Sequence, residues 1–172
     1  MNDYPIVVMS ACQGNFSTGR QGQAIIGIVD HIMDGTLVGT DAWFQDPASQ
    51  VSAHYGVGKD GQIHKYVAIL DEAYHAGVVS NPTAQMVLDR PGVNPNLYTV
   101  GIEHEGMSGD ELTDEQYRAT LWLHGVLCRA MPSITVDEYH VVRHSTINDQ
   151  HGGCPGPGFP LVRLLADLKG LV

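Results

Sequence analysis

Residues 24 to 31 read Ala24-Ile25-Ile26-Gly27-Ile28-Val29-Asp30-His31, a continuous apolar run that is rich in isoleucine and ends on an imidazole. Such a run predicts a strand buried on both faces, at the centre of a sheet covered by helices. A second run of this kind, Leu97 to His104, predicts another buried strand. Between them, Thr40 is placed to cap a short amphipathic turn over Asp41-Ala42-Trp43-Phe44 that stops before Pro47. Val51 to Val57 and Ile63 to Val67 flank Lys59-Asp60-Gly61, a turn with the Asp-Gly chemistry of a β-hairpin. Asn81-Pro82-Thr83 opens a short helical stretch to about Leu88.

The strongest helical pattern runs from Asp114 to Ala130. Thr113 stands at its cap, Gln116 completes a capping box, and Tyr117, Leu121, Leu123, His124, Val126 and Cys128 form the apolar face. Pro132 ends it. Tyr139 to Arg143 predicts a short strand, and a last helix opens at Pro160 and closes before Gly170. Strands interleaved with helices predict an α/β fold: one domain over residues 1–172, with a central mixed β-sheet flanked by α-helices. Residues 1–23 are expected to be an N-terminal extension packed on that domain.

Composition narrows the function classes. Nine Lys and Arg against nineteen Asp and Glu give a formal net charge of −10, which argues against nucleic acid and against attraction to anionic surfaces. Three cysteines cannot all pair with one another, so no disulfide framework is expected. Met1-Asn2-Asp3-Tyr4-Pro5 has no basic region leading into an apolar stretch, and no run reaches the ~18 residues that span a bilayer. The expectation is a chain made in the cytoplasm without a signal peptide, probing its substrate as a monomer with no membrane insertion.

The chemistry concentrates at strand ends and in one loop. His31 closes the first buried strand. His144 follows the strand Tyr139-His140-Val141-Val142-Arg143, and ten residues later Cys154 opens Cys154-Pro155-Gly156-Pro157, a rigid turn. His140 shares a strand face with His144, but His144 is nearer the cysteine loop and is the preferred ligand. Two imidazoles and one thiolate make a three-ligand zinc site, with the fourth position left open for chemistry. One Zn2+ per chain is expected, toward one edge of the sheet. Glu103 lies deep in the second buried strand, where a carboxylate is costly unless it works; desolvation would raise its pKa and suit it to general acid/base catalysis. Glu105 shares that face but borders a glycine loop and is expected to be solvated. His104 points to the opposite face.

Val51-Ser52-Ala53-His54-Tyr55, Lys59-Asp60-Gly61-Gln62-Ile63-His64, Ala73-Tyr74-His75-Ala76-Gly77 and Val100-Gly101-Ile102-Glu103, in order between His31 and Cys154, resemble the zinc-dependent N-acetylmuramoyl-L-alanine amidases. That family includes phage endolysins and peptidoglycan-recognition proteins. The resemblance covers roughly residues 24 to 168. It implies His31, His144 and Cys154 as zinc ligands, Glu103 as the acid/base, and His54 and His75 lining the groove for peptidoglycan. It further implies cleavage of the amide between N-acetylmuramic acid and L-alanine, in a compact endolysin-like enzyme that acts on the cell wall after release. Two positions depart from the family pattern: Ala53 where many members carry tyrosine, and Gly152 where many carry lysine. His151 is the nearest group able to contact substrate in place of that lysine.

Other readings remain at this level. A peptidoglycan-binding module without catalysis would lack a ligand, and both Cys154 and Glu103 are present. A cytoplasmic amidase recycling soluble muropeptides uses the same residues. A thiol hydrolase with Cys154 as nucleophile would want a helix N-terminus at the cysteine, and the next helix starts only at Pro160. A purely structural zinc needs a fourth protein ligand, for which His151 is the candidate.

Overall fold

The computed structural model describes residues 3–172, so Met1 and Asn2 of the N-terminal reading lie outside it. In chain order the elements are β1 (Ile6–Val8), β2 (Phe16–Ser17), β3 (Gly27–Ile32), α1 (Leu37–Gln45), β4 (Tyr55–Val57), β5 (Ile63–Lys65), β6 (Glu72–Ala73), α2 (Gln85–Leu88), β7 (Thr99–His104), α3 (Asp114–Ala130), β8 (Val141–Arg143) and α4 (Leu161–Lys169). Six strands form one sheet in the order β1-β5-β4-β7-β3-β8, and β2 pairs with β6 in a separate ribbon. Neighbours are parallel except β4 and β5, the hairpin over Lys59-Asp60-Gly61, so the sheet is mixed. Gly61 takes φ +84° there, a turn conformation that L side chains rarely adopt. β1 draws the N-terminal segment into the sheet edge beside β5.

All six residues of β3 are buried, as its unbroken apolar run requires. Alternation sends Ile28 and Asp30 to one face and Val29 and His31 to the other. The first face is covered by α3 and α4: Ile28, Val100, Ile102 and Val141 pack with Leu123, Leu127 and Leu165. The second is covered by α2 and its flanking loops, where Val29 and Val142 meet Met86, Val87 and Ile147. Leu123 is fully buried at the centre of the first layer. Leu123→Ala is expected to lower the free energy of unfolding by about 2–5 kcal/mol, read from urea midpoints at constant slope.

The sequence reading of α3 holds at both ends, with Thr113 Oγ1 accepting from Gln116 N–H at 3.1 Å. The box is only half formed, because the fully buried Gln116 side chain donates instead to the carbonyls of Val57 and Glu105, tying α3 to the sheet. The first helix differs more. It begins at Leu37 with Thr36 as its cap, so Thr40 is an interior residue. Val38 and Gly39 have poor helix propensity, and tertiary packing of Leu37, Thr40 and Phe44 overrides it. Pro160 is the cap of α4 rather than a residue of its first turn.

Candidate active site

Strand register assembles the site. β3 and β7 pair in parallel with His31 directly beside Glu103, and β3 pairs with β8 up to Asp30 beside Arg143. One step further, where β8 ends, is His144. Glu103, His31 and His144 therefore form a row across the carboxyl ends of three parallel strands, where open α/β sheets place their ligands. Cys154 reaches this row from the tail loop, with its Sγ 3.9 Å from His31 Nδ1.

Backbone hydrogen bonds fix that loop. Ser145 N–H donates to the Cys154 carbonyl at 2.8 Å, Cys154 N–H donates to the His151 carbonyl at 2.8 Å, and Ile32 N–H points at Sγ from 3.4 Å. Ser108 Oγ donates to the Gly153 carbonyl, and a Cβ at Gly153 would stand 2.5 Å from that same oxygen. A side chain at Gly153 would displace the Ser108 hydroxyl from this hydrogen bond.

Proton positions follow from the acceptors. Thr99 Oγ1 donates to the Pro95 carbonyl at 2.7 Å, so it accepts from His75 Nε2 at 3.3 Å. His75 Nδ1 is then an acceptor, and it receives His31 Nε2–H at 3.1 Å. That leaves a lone pair on His31 Nδ1, facing Cys154 and Glu103. His144 Nε2 faces the Ala76 carbonyl at 3.1 Å and must donate, leaving His144 Nδ1 free in turn. Each imidazole is oriented by its remote nitrogen, the usual support of a metal-ligating histidine. Burial pushes the His144 pKa down to about 4 and that of His31 well below its ordinary value, so both rings are neutral near pH 7.

The donor atoms of His31, His144 and Cys154 lie within 4.8 Å of one another, and among the described residues no other group of three or more His, Cys, Asp or Glu meets that test. Tetrahedral zinc with ordinary Zn–N and Zn–S bonds holds its N and S donors about 3.6 Å apart. The spacing and the N, N, S donor set fit a zinc ion with one open position. Burial, reinforced by the charge of Glu103, pushes the Cys154 thiol up to about 12, so a metal must displace its proton to bind.

Glu103 is the remaining member of the row. Its side chain is 16% exposed, its Oε1 stands 4.0 Å from His31 Nδ1, and its buried Oε2 has no hydrogen-bond partner. Burial, with Asp34 adding, pushes its pKa up to about 8. Glu105 is instead held by Lys59 N–H at 2.8 Å, away from the row. A cleft of about 230 Å³ opens from these residues toward α1 and is walled by Thr40, Trp43, Val51, Ser52 and Tyr74.

Not every expected groove residue reaches that cleft. His75 lines it beneath His31, and the exposed His151 lines it with its ring stacked on His144 at 4.9 Å. His54 differs: it is fully buried behind the cleft. Its Nδ1 accepts from Gly101 N–H, and its Nε2 faces the Arg20 guanidinium at 2.7 Å and the Asp71 carbonyl. His140 lies at the far end of β8, bound to Asp137. Sequence reasoning missed Thr99 and Asp34, a threonine at a strand start and an aspartate in a loop, whose types carry no signal. It missed Gly101 as well, where a Cβ would meet His75 Cγ at 2.4 Å. Gly101→Ala is expected to push His75 off His31 and weaken zinc binding by about tenfold or more, measured by chelator competition.

The family model described as N-acetylmuramoyl-L-alanine amidase matches residues 21–157. The chain is 32% identical over 157 residues to N-acetylmuramoyl-L-alanine amidase A of Achromobacter lyticus, covering 85% of this chain and 78% of that protein. It is 32% identical over 120 residues to the 1,6-anhydro-N-acetylmuramyl-L-alanine amidase AmpD of Haemophilus influenzae, covering 70% of this chain and 60% of that one. The solved endolysin amidase LysCS from Clostridium intestinale superposes with a TM-score of 0.68 at 20% identity, over 98% of this chain and 99% of that one, a likeness of fold.

Proposed function

Because the chain belongs to the N-acetylmuramoyl-L-alanine amidase family, we propose that it hydrolyses the amide between N-acetylmuramic acid and L-alanine in peptidoglycan at a zinc ion held by His31, His144 and Cys154. The observation that carries the reading is the row of Glu103, His31 and His144 closed by Cys154, with an unpartnered carboxylate oxygen beside an N, N, S donor set. Zinc, when bound there, supplies Lewis-acid polarisation of a carbonyl and lowers the pKa of water toward ~7.

The chain's own residues do the rest. Neutral His31 and His144 hold their free nitrogens toward the ion because His75 and the Ala76 carbonyl occupy the others. Glu103 accepts a proton from the attacking water and hands it to the departing alanine nitrogen, which is a very poor leaving group without it. The cleft toward Trp43 and Tyr74 receives the substrate, with His75 and His151 at its inner wall. The products are a stem peptide with a free alanine N-terminus and an intact glycan.

The test is mass spectrometry of purified peptidoglycan digested by the protein before and after zinc removal. Stem peptides with free N-terminal alanine, lost on chelation and restored by zinc, are expected. Intact wall with the protein sedimenting on it would instead mean recognition without cleavage. A second reading, in which the substrate is a soluble 1,6-anhydro muropeptide, draws on the 32% identity to AmpD and on a net charge of −10 that gives no pull toward an anionic wall. Faster turnover of anhydro fragments than of sacculi would select it over the endolysin-like role.

A further inference from the structure

On the face of the sheet opposite the cleft lies a second cluster of titratable side chains, unused by the amide chemistry. Asp30, His104 and His124 are all fully buried. Asp30 precedes His31 in β3, His104 follows Glu103 in β7, and His124 comes from α3.

Their protons can be placed from fixed acceptors. His104 Nδ1 lies 2.9 Å from the carbonyl oxygen of His31, which only accepts, so Nδ1 carries the proton. His124 Nδ1 lies 2.9 Å from the Thr120 carbonyl and is protonated for the same reason. Its Nε2 stands 3.2 and 3.4 Å from the two oxygens of Asp30, so a hydrogen bond joins the ring to that carboxyl group. His124 is therefore tied at both ring nitrogens, to its own helix at the Thr120 carbonyl and to β3 at Asp30. His104 Nε2 lies 3.8 Å from the same Asp30 carboxyl group, beyond hydrogen-bond reach, and has no partner of its own.

Stability does not explain this arrangement. Burying polar side chains costs desolvation even when they are hydrogen-bonded, and well-packed apolar residues at the same places are often as stabilising or more. Ile28, Ile102 and Leu123 fill the rest of that layer in the apolar way. What the cluster holds is specific: it binds α3 to the residue before the ligand His31 and binds β7 to the His31 carbonyl. We propose that Asp30, His104 and His124 are positioning residues for the metal centre, which fix the main chain of His31 from behind so that its imidazole and Glu103 keep their places. The proposal rests on the zinc reading above.

The test compares zinc affinity with thermal midpoint in the full chain, stripped of metal and titrated with zinc against a chromophoric chelator. His104→Leu removes the donor to the His31 carbonyl and is expected to weaken zinc binding about tenfold or more. His104→Asn, whose amide can reach the same carbonyl, is expected to recover most of that loss. The double variant Asp30→Leu/His124→Met replaces the pair with apolar groups. It is expected to keep or raise the thermal midpoint while zinc affinity falls about tenfold, a separation that a merely structural role would not produce. Wild-type zinc affinity in both His104→Leu and the double variant would overturn the positioning role alone. Failure of the wild-type chain to bind zinc would overturn the metal reading with it.

Discussion

Glu103→Gln is expected to lower kcat by about 10²–10⁴-fold while leaving zinc content unchanged. Glutamine keeps the shape and polarity of the side chain but cannot shuttle a proton at neutral pH. The carboxylate is not part of the N, N, S donor set, and its nearest approach to His31 Nδ1 is 4.0 Å. A loss of zinc in the variant would mean that Glu103 is a ligand; unchanged kcat would remove it from the mechanism. The same substitution has a signature in the metal-free protein. Burial raises the Glu103 pKa from 4.5 to about 8, so the folded chain keeps a proton that the unfolded chain releases. The contribution of this group to stability is complete below 4.5 and is lost as pH rises toward about 8. Metal-free wild type is expected to lose thermal stability relative to Glu103→Gln across that window, with the gap levelling above it. Parallel melting curves across the window would refute the shift.

The residues that announced the site were those whose type is informative where they stand. Glu103 stands out by itself in an apolar strand, whereas His31 at the end of another and Cys154 in a proline-glycine turn point to a metal only when read together with His144. Their juxtaposition was not visible, because register is a tertiary property: nothing local says that β3 and β7 pair with His31 beside Glu103. His54 shows the opposite case. A histidine in a strand pattern offers no sign of whether it faces a cleft or the core, and here Arg20, thirty-four residues earlier, turns it into a buried partner. The paired imidazoles behind the ligands were out of reach for the same reason, since His75 and Thr99 meet only because Gly101 leaves room for a ring. Thr36 was passed over as a cap because Val38 and Gly39 weaken the helical pattern that follows.

Cys154→Ser is expected to reduce zinc affinity by at least about a hundredfold and to abolish amidase activity at stoichiometric zinc. Neutral His31 and His144 need give up no proton, because burial keeps their pKa values low, with that of His144 at about 4. The Cys154 thiol, pushed up to about 12, gives up one. In the wild type the zinc displaces that thiol proton, and its charge also favours release of the proton that Glu103 keeps up to about pH 8, so affinity is expected to rise at least about tenfold per pH unit between roughly pH 6 and 8, with between one and two protons released per zinc. A serine hydroxyl is far harder to ionise, so the variant keeps its proton and offers zinc two imidazoles and a neutral oxygen. Its pH slope is therefore expected to flatten as its affinity falls. Saturating zinc is expected to raise the wild-type thermal midpoint, since ligand at a hundred times Kd adds about 2.7 kcal/mol, and to leave the serine variant nearly unmoved at the same concentration. Calorimetry in two buffers of different ionisation enthalpy reads the proton count directly. A count near zero in the wild type would mean that Cys154 is already a thiolate without metal, and the row of Glu103, His31 and His144 would then surround an anion that burial should not permit.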